Sequence, residues 1–292
     1  MKPERTLGFL AVLLLALVSR AAAAGDADCL SCHTVSSDMP VHAIFRTAHG
    51  GLGSGSQSCV ACHGESAEHQ KDPTEMSPGI SFGPRWQSDP EQQGAVCLDC
   101  HRNDAASAWV GSVHHDEDLS CASCHEMHTR FDAILDREEQ SATCFECHKS
   151  VQSSVHLQSR HPILEGRTAC IDCHNPHGSV TEAELVEPTL NDTCFQCHAE
   201  KRGPFLFEHA PVAEDCSLCH RPHGSVNPDL LTVRGPFLCQ QCHSAAFHPS
   251  QLADGSGLPG NQPNANLLGK NCSNCHSQVH GSNHPSGARL TR

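Results

Sequence analysis

Ten times in this chain a cysteine is followed three residues later by a second cysteine and then at once by a histidine. The motifs hold Cys29, Cys32 and His33; Cys59, Cys62 and His63; Cys97, Cys100 and His101; Cys121, Cys124 and His125; Cys144, Cys147 and His148; Cys170, Cys173 and His174; Cys194, Cys197 and His198; Cys216, Cys219 and His220; Cys239, Cys242 and His243; and Cys272, Cys275 and His276. They use all 20 cysteines and leave none over. Two thiols and an imidazole at this spacing suit covalent attachment of a c-type haem. The thiols add to the porphyrin vinyl groups and the histidine takes one axial position on the iron. A disulfide scaffold suits an exported chain but gives no role to a histidine after every second cysteine. Zinc knuckles need each cysteine pair matched to a second ligand pair at a regular distance. Thioredoxin-like motifs come singly, inside a βαβ pattern that is absent here.

The motifs fall into five units of two, most clearly over residues 194–224. There His209 stands between the motifs and His223 lies three residues past the second. Of the 24 histidines, 14 lie outside the motifs. The repeat supplies one histidine before the second motif of each unit, namely His49, His114, His161, His209 and His248. It supplies another after it, namely His69, His128, His177, His223 and His280. These ten are the candidate distal iron ligands. His42, His115, His156 and His284 are left over, and His42 competes with His49 as His115 does with His114. Only four methionines exist; Met1 opens the leader, Met39 and Met76 hold no repeated position, and Met127 stands beside His128. Ten haem c groups with bis-histidine iron are therefore expected, at low potentials, because methionine ligation would raise them. Two strong axial ligands leave no open iron position, so such haems exchange electrons and bind no substrate.

The elements that position these groups are slight. Aromatics make up 4% of the 292 residues and tyrosine is absent. Much of the apolar count is cysteine or lies in the first 24 residues, which leaves too little for an ordinary core. About one haem per 27 mature residues would supply the missing apolar mass. The expected fold is a multihaem cytochrome c: mostly irregular chain with short α-helices, almost no β structure, a haem-filled core and an elongated shape. Residues 25–135 would carry haem pairs 1 and 2, and residues 136–292 pairs 3 to 5, as two pentahaem-like halves of one array. Residues 131–140 read as a short helix with alternating charge. Residues 180–187 read as one or two helical turns stopped by Pro188. Residues 64–95 read as a loop or hinge without periodicity. The GGLGSGS connection and residues 250–270 read as loops.

Lys2 and Arg5 precede an apolar run, Leu7 to Val18, too short to span a membrane, and Ala22, Ala23 and Ala24 offer a cleavage site. Residues 1–24 therefore read as a cleaved signal peptide, which places the mature chain in the periplasm. The net charge is −14, or about −16 without the leader. That balance disfavours nucleic acid, whose phosphates need Lys and Arg.

The run NDTCFQCHAEKRGPFLFEHAPVAEDCSLCHRPHGSV, then PFLCQQCH and CSNCHSQVHGSNHPSG, resembles the periplasmic decahaem cytochromes of outer-membrane porin–cytochrome conduits, the MtrA/DmsE type. CIDCHNPHGSV fits the same pattern. The likeness is close from about Gly166 onward, while the first hundred residues match in motif order. It implies a cytochrome held inside an outer-membrane β-barrel porin-like protein. It also implies a periplasmic or inner-membrane cytochrome c as donor, and an outer-surface multihaem cytochrome or terminal reductase beyond. A free periplasmic electron shuttle or store would carry the same haems without a barrel. A multihaem enzyme would need an open haem, often a Cys-x-x-Cys-Lys site or a cross-linking tyrosine, and this chain has neither. An electron-transfer protein rather than an enzyme is expected.

Overall fold

The computed structural model describes residues 26–36, 40–51, 58–243 and 270–292. The leader, Met39, most of the GGLGSGS connection and the segment 244–269 with His248 lie outside the described residues. Among the described residues there are ten short α-helices, a set of 3-10 turns and no β-strand. Pairing between extended segments among these residues is limited to isolated bridges such as Ser159 with Ser225 and Phe207 with Ser282. The expected mostly irregular, helix-poor architecture is what forms. Among the described residues the buried apolar side chains are few: Trp109, Phe145, Val155, Ile163 and Ala169. Phe145, Val155 and Ile163 form a small cluster with Val151 against it.

Each unit is built from two local devices. The first motif sits at the C-terminal end of an α-helix, as in Pro90–His101, Gln140–Phe145 and Leu190–Phe195. From the second unit onward the second motif opens on a 3-10 turn: Cys121–Ser123, Cys170–Asp172, Cys216–Leu218 and Cys272–Asn274. Both devices close the same bond, from the histidine N–H to the carbonyl of the first cysteine, at 2.9 Å in His125, His198 and His220. One turn therefore carries the thiols at i and i+3 and the imidazole at i+4 along one side. Asp215 and Asn271 cap two of the 3-10 turns by accepting from Ser217 and Ser273 backbone N–H.

Successive units are docked by backbone. Ser159 and Ser225 exchange both N–H···O bonds at 3.0 and 2.8 Å, and Phe207 and Ser282 do so at 2.9 Å each. The register repeats: two residues before one candidate ligand, His161 or His209, against two residues after another, His223 or His280. Glycine permits the approach. At Gly178 φ is +108°, and a Cβ there would come within 2.3 Å of the Ala108 carbonyl oxygen.

Three local expectations need correction. Residues 131–140 hold only a 3-10 turn, Ala133–Leu135, before the helix that begins at Gln140. The acids there bind backbone and imidazole instead of lying on a helix: Asp136 accepts from Glu138 and Glu139 N–H, and Asp132 accepts from His125. Residues 180–187 hold one 3-10 turn, Glu182–Glu184, with Ala183 and Glu184 at positive φ. That twist turns the Ala183 carbonyl toward His174, at 2.8 Å from Nδ1. Residues 64–95 are not a free hinge. They contain the helix Ala67–Lys71 and the start of the 12-residue helix Pro90–His101. Asp89 caps the latter with Pro90 at its first position. Gln93, 2% exposed, ties the intervening loop by donating to the Ser81 and Ser88 carbonyls.

Candidate functional site

The histidines meet in twos. Nine motif histidines each face one non-motif histidine with ring centroids 6.0–6.4 Å apart. The pairs are His33 with His69, His63 with His128, His101 with His49, His125 with His177 and His148 with His114. The remainder are His174 with His223, His198 with His161, His220 with His280 and His243 with His209. An iron bonded at about 2 Å to one nitrogen of each ring, with roughly 1.1 Å more from nitrogen to ring centre, would hold the centroids about 6.2 Å apart. The residues present thus fit bis-histidine haem iron. Among the described residues no three His, Cys, Asp or Glu side chains converge on one point, as a protein-only metal site would require.

Four of the candidate distal histidines from before the second motif and all five from after it take part in these pairs. The tenth, His248, lies outside the described residues; the remaining motif histidine, His276, donates from Nδ1 to the Arg289 carbonyl at 2.6 Å. The spare histidines do other things. His42 donates from Nε2 to the His33 carbonyl at 2.8 Å and packs on Phe45. His115 packs edge-on against the buried Trp109. His156 and His284 are exposed.

The pairing crosses unit boundaries in both directions. The second motif of one unit faces the late histidine of the next, and the first motif of that next unit faces the early histidine of the one before. Units 3 and 4, for example, are joined by His174 with His223 and by His198 with His161. Four boundaries carry two such pairs each, while His33 with His69 closes the first unit on itself.

Hydrogen bonds set the ring tautomers. His114, His161 and His209 donate from Nδ1 to the Pro176, Pro222 and Val279 carbonyls at 3.0, 2.8 and 2.9 Å. Each of these carbonyls belongs to the residue just before a facing-type histidine: His177, His223 or His280. A carbonyl only accepts, so Nδ1 holds the proton and Nε2 keeps its lone pair for a metal. Burial, then the facing imidazole, holds His33, His128, His177 and His223 below the ordinary histidine value. For His280 burial acts first, then Lys201. Both effects favour the neutral, ligating form.

None of the 20 cysteines is in a disulfide. Within units 2 to 5 the first cysteines of the two motifs are electrostatic neighbours: Cys97 with Cys121, Cys144 with Cys170, Cys194 with Cys216 and Cys239 with Cys272. As free thiols the first two pairs would titrate apart: Cys97 and Cys144 are pushed up, while Cys97 holds Cys121 down to about 6 and Cys144 holds Cys170 down to about 7. Between units the second cysteines are electrostatic neighbours: Cys62 with Cys100, Cys124 with Cys147, Cys173 with Cys197 and Cys219 with Cys242. The nine attachment points from the motif at Cys59 to the motif at Cys272 therefore follow one another in chain order.

A profile described as a doubled CXXCH motif matches residues 161–203 and 209–248, and one described as cytochrome c-type protein NrfB-like matches residues 59–140. Over 275 residues, 92% of this chain and 81% of the relative, the sequence is 45% identical to the multiheme cytochrome MtrA of Shewanella baltica. Over 83 residues, 26% of this chain and 36% of the relative, it is 32% identical to the cytochrome c-type protein NrfB of Haemophilus influenzae.

Proposed function

We propose that this chain, which belongs to the multihaem c-type cytochrome family of its MtrA relative, carries electrons between the periplasm and the cell exterior along ten haems inside an outer-membrane β-barrel. The observation that carries the ligation is the set of nine imidazole pairs at 6.0–6.4 Å. In this reading the 20 motif cysteines form the thioethers and the motif histidines are the proximal ligands. His49, His69, His114, His128, His161, His177, His209, His223, His248 and His280 are the distal ones.

Every iron then has two strong ligands, so the haems exchange electrons and bind no substrate. The sulfur neighbours support a single file of macrocycles from the motif at Cys59 to the last, meeting alternately at their second-cysteine and first-cysteine edges. The split into 25–135 and 136–292 groups haem pairs on one continuous array, since the same double pairing, His125 with His177 and His148 with His114, crosses it.

The conduit reading draws on the likeness to porin–cytochrome conduit proteins. It names as partners a porin-like barrel, a periplasmic or inner-membrane cytochrome c donor, and an outer-surface multihaem cytochrome or terminal reductase. No helix among the described residues is long and apolar enough to cross a membrane by itself. The test is purification of the tagged holoprotein from native membranes in mild detergent, tracking haem and protein together. Stable co-elution with a large barrel protein is expected. Recovery of all the haem in the soluble periplasmic fraction, free of any barrel, would overturn the conduit and leave a periplasmic electron shuttle.

A further inference from the structure

The motif histidines differ in what holds their second nitrogen. In the second motif of four units that partner is a backbone carbonyl. His63, His174, His220 and His276 donate to Ile80, Ala183, Asp229 and Arg289 carbonyls at 2.9, 2.8, 2.7 and 2.6 Å. His125, at the same place in its own unit, donates instead to the carboxylate of Asp132 at 2.7 Å, on a side chain 9% exposed. In the preceding motif His101 donates to the Asp104 carboxylate at 2.6 Å. The Asp104 charge reaches further and acts on His177, the imidazole opposite His125. Other carboxylates stand back from the paired rings, Glu184 at 3.7 Å from His114 and Glu200 at 3.9 Å from His198.

A carboxylate draws the imidazole N–H toward itself, makes the ring a stronger donor and stabilises the more positive ferric iron. A neutral carbonyl does this less. The motifs at Cys97 and Cys121 are neighbours through their sulfurs, so the two effects fall side by side. We propose that the haems of these two motifs are the lowest-potential pair of the array, set there by Asp104 and Asp132, and divide the file into two flanks of higher potential. The inference rests on the haem-ligand reading above. Each iron takes one electron, Fe(III) to Fe(II), so under gradual reduction the flanks fill first. An electron crossing from one flank to the other meets its unfavourable step at this pair.

The test uses the full-length holoprotein, with dithionite as reductant and haem counted independently by pyridine haemochrome. Asp132→Asn and Asp104→Asn keep an acceptor oxygen for the imidazole and remove the charge. Asp99→Asn removes a charge from within the same motif, between Cys97 and Cys100, where Asp99 lies 3.6 Å from Arg102 rather than on a ligand ring. Each of the first two should move about a tenth of the haem absorbance out of the low-potential end, by roughly tenfold in the reduction equilibrium, or about 59 mV for one electron. The ferric spin-resonance signals of the same fraction should shift while remaining low-spin. Asp99→Asn should leave the low end in place. An unmoved low end in both variants, or an equal shift in Asp99→Asn, overturns the proposal. Should Asp132→Asn lose haem, Asp104→Asn on its exposed loop decides alone by the same criterion. High-spin haem in the unaltered protein would overturn the ligand reading instead.

Discussion

His114 and His148 face each other at 6.1 Å across the boundary between the second and third units, while His115, the next residue, turns away to Trp109. Two adjacent histidines on the four-residue helix Val113–Asp116 point about 100° apart, so only one can reach across the boundary. Its ring is then locked by the Pro176 carbonyl of the third unit at 3.0 Å.

Replacing His114 by Ala should therefore turn one haem in ten high-spin in the ferric spin-resonance spectrum. His115→Ala should leave all haems low-spin. The same contrast is expected between His49→Ala and His42→Ala. A high-spin signal from His115→Ala or His42→Ala, with none from its neighbour, would reverse the assignment.

Because each boundary is held by two reciprocal pairs, removing both from one boundary should cost more than removing one from each of two. The variant His161→Ala with His223→Ala opens both links between units 3 and 4. The variant His161→Ala with His128→Ala opens one link at each of two boundaries. Limited proteolysis between His174 and Cys194 should be about tenfold faster in the first, from coupling of roughly 1.4 kcal/mol. Equal rates would show that the links act independently.

Gly178 tests the docking of backbone at a boundary. Gly178→Ala would drive a Cβ to within 2.3 Å of the Ala108 carbonyl oxygen, with Ser112 Cβ at 2.9 Å. It should disturb the adjacent His177 and alter the low-spin signal of one haem. Gly111→Ala has positive φ, at +89°, but nothing within 4 Å of the new Cβ. It should cost only the conformational term, about 1–2 kcal/mol, with the spin-resonance spectrum intact. Indistinguishable spectra from the two variants would remove the steric argument.

Gln140 offers a stabilising change. Its side chain is 1% exposed and its amide atoms have no hydrogen-bond partner. Gln93, four residues before its motif as Gln140 is, accepts at 2.7 Å from the hydroxyl of Ser120, which precedes the second motif of its unit. In the third unit that position is Ala169, 3% exposed. Ala169→Ser should supply the missing donor and add about 1 kcal/mol. The midpoint for thermal loss of Soret circular dichroism should rise by roughly 2–4 °C. A fall would mean that the added oxygen finds no partner there.

The covalent chemistry was legible from residue types and spacing because it is local. A thiol at i, a thiol at i+3 and an imidazole at i+4 share one side of a single turn, whatever surrounds it. The surplus of histidine over methionine likewise pointed to paired imidazoles, and the recurrence of His161, His209, His177 and His223 in register singled them out. The sparse core followed from composition. The partner of each motif histidine was not legible, because the pairs join residues far apart in sequence and in different units. His63 meets His128, not the nearer His69, which turns back to His33. Nor could sequence show that Asp132 leaves a helical-looking run to hold His125, while its counterparts at Ala183 and Asp229 offer only backbone carbonyls. Those choices are made by where one unit's backbone docks on the next. A local pattern cannot carry that information, because the hydrogen bonds that decide it, such as His209 to Val279, close only after the chain has run 70 residues further.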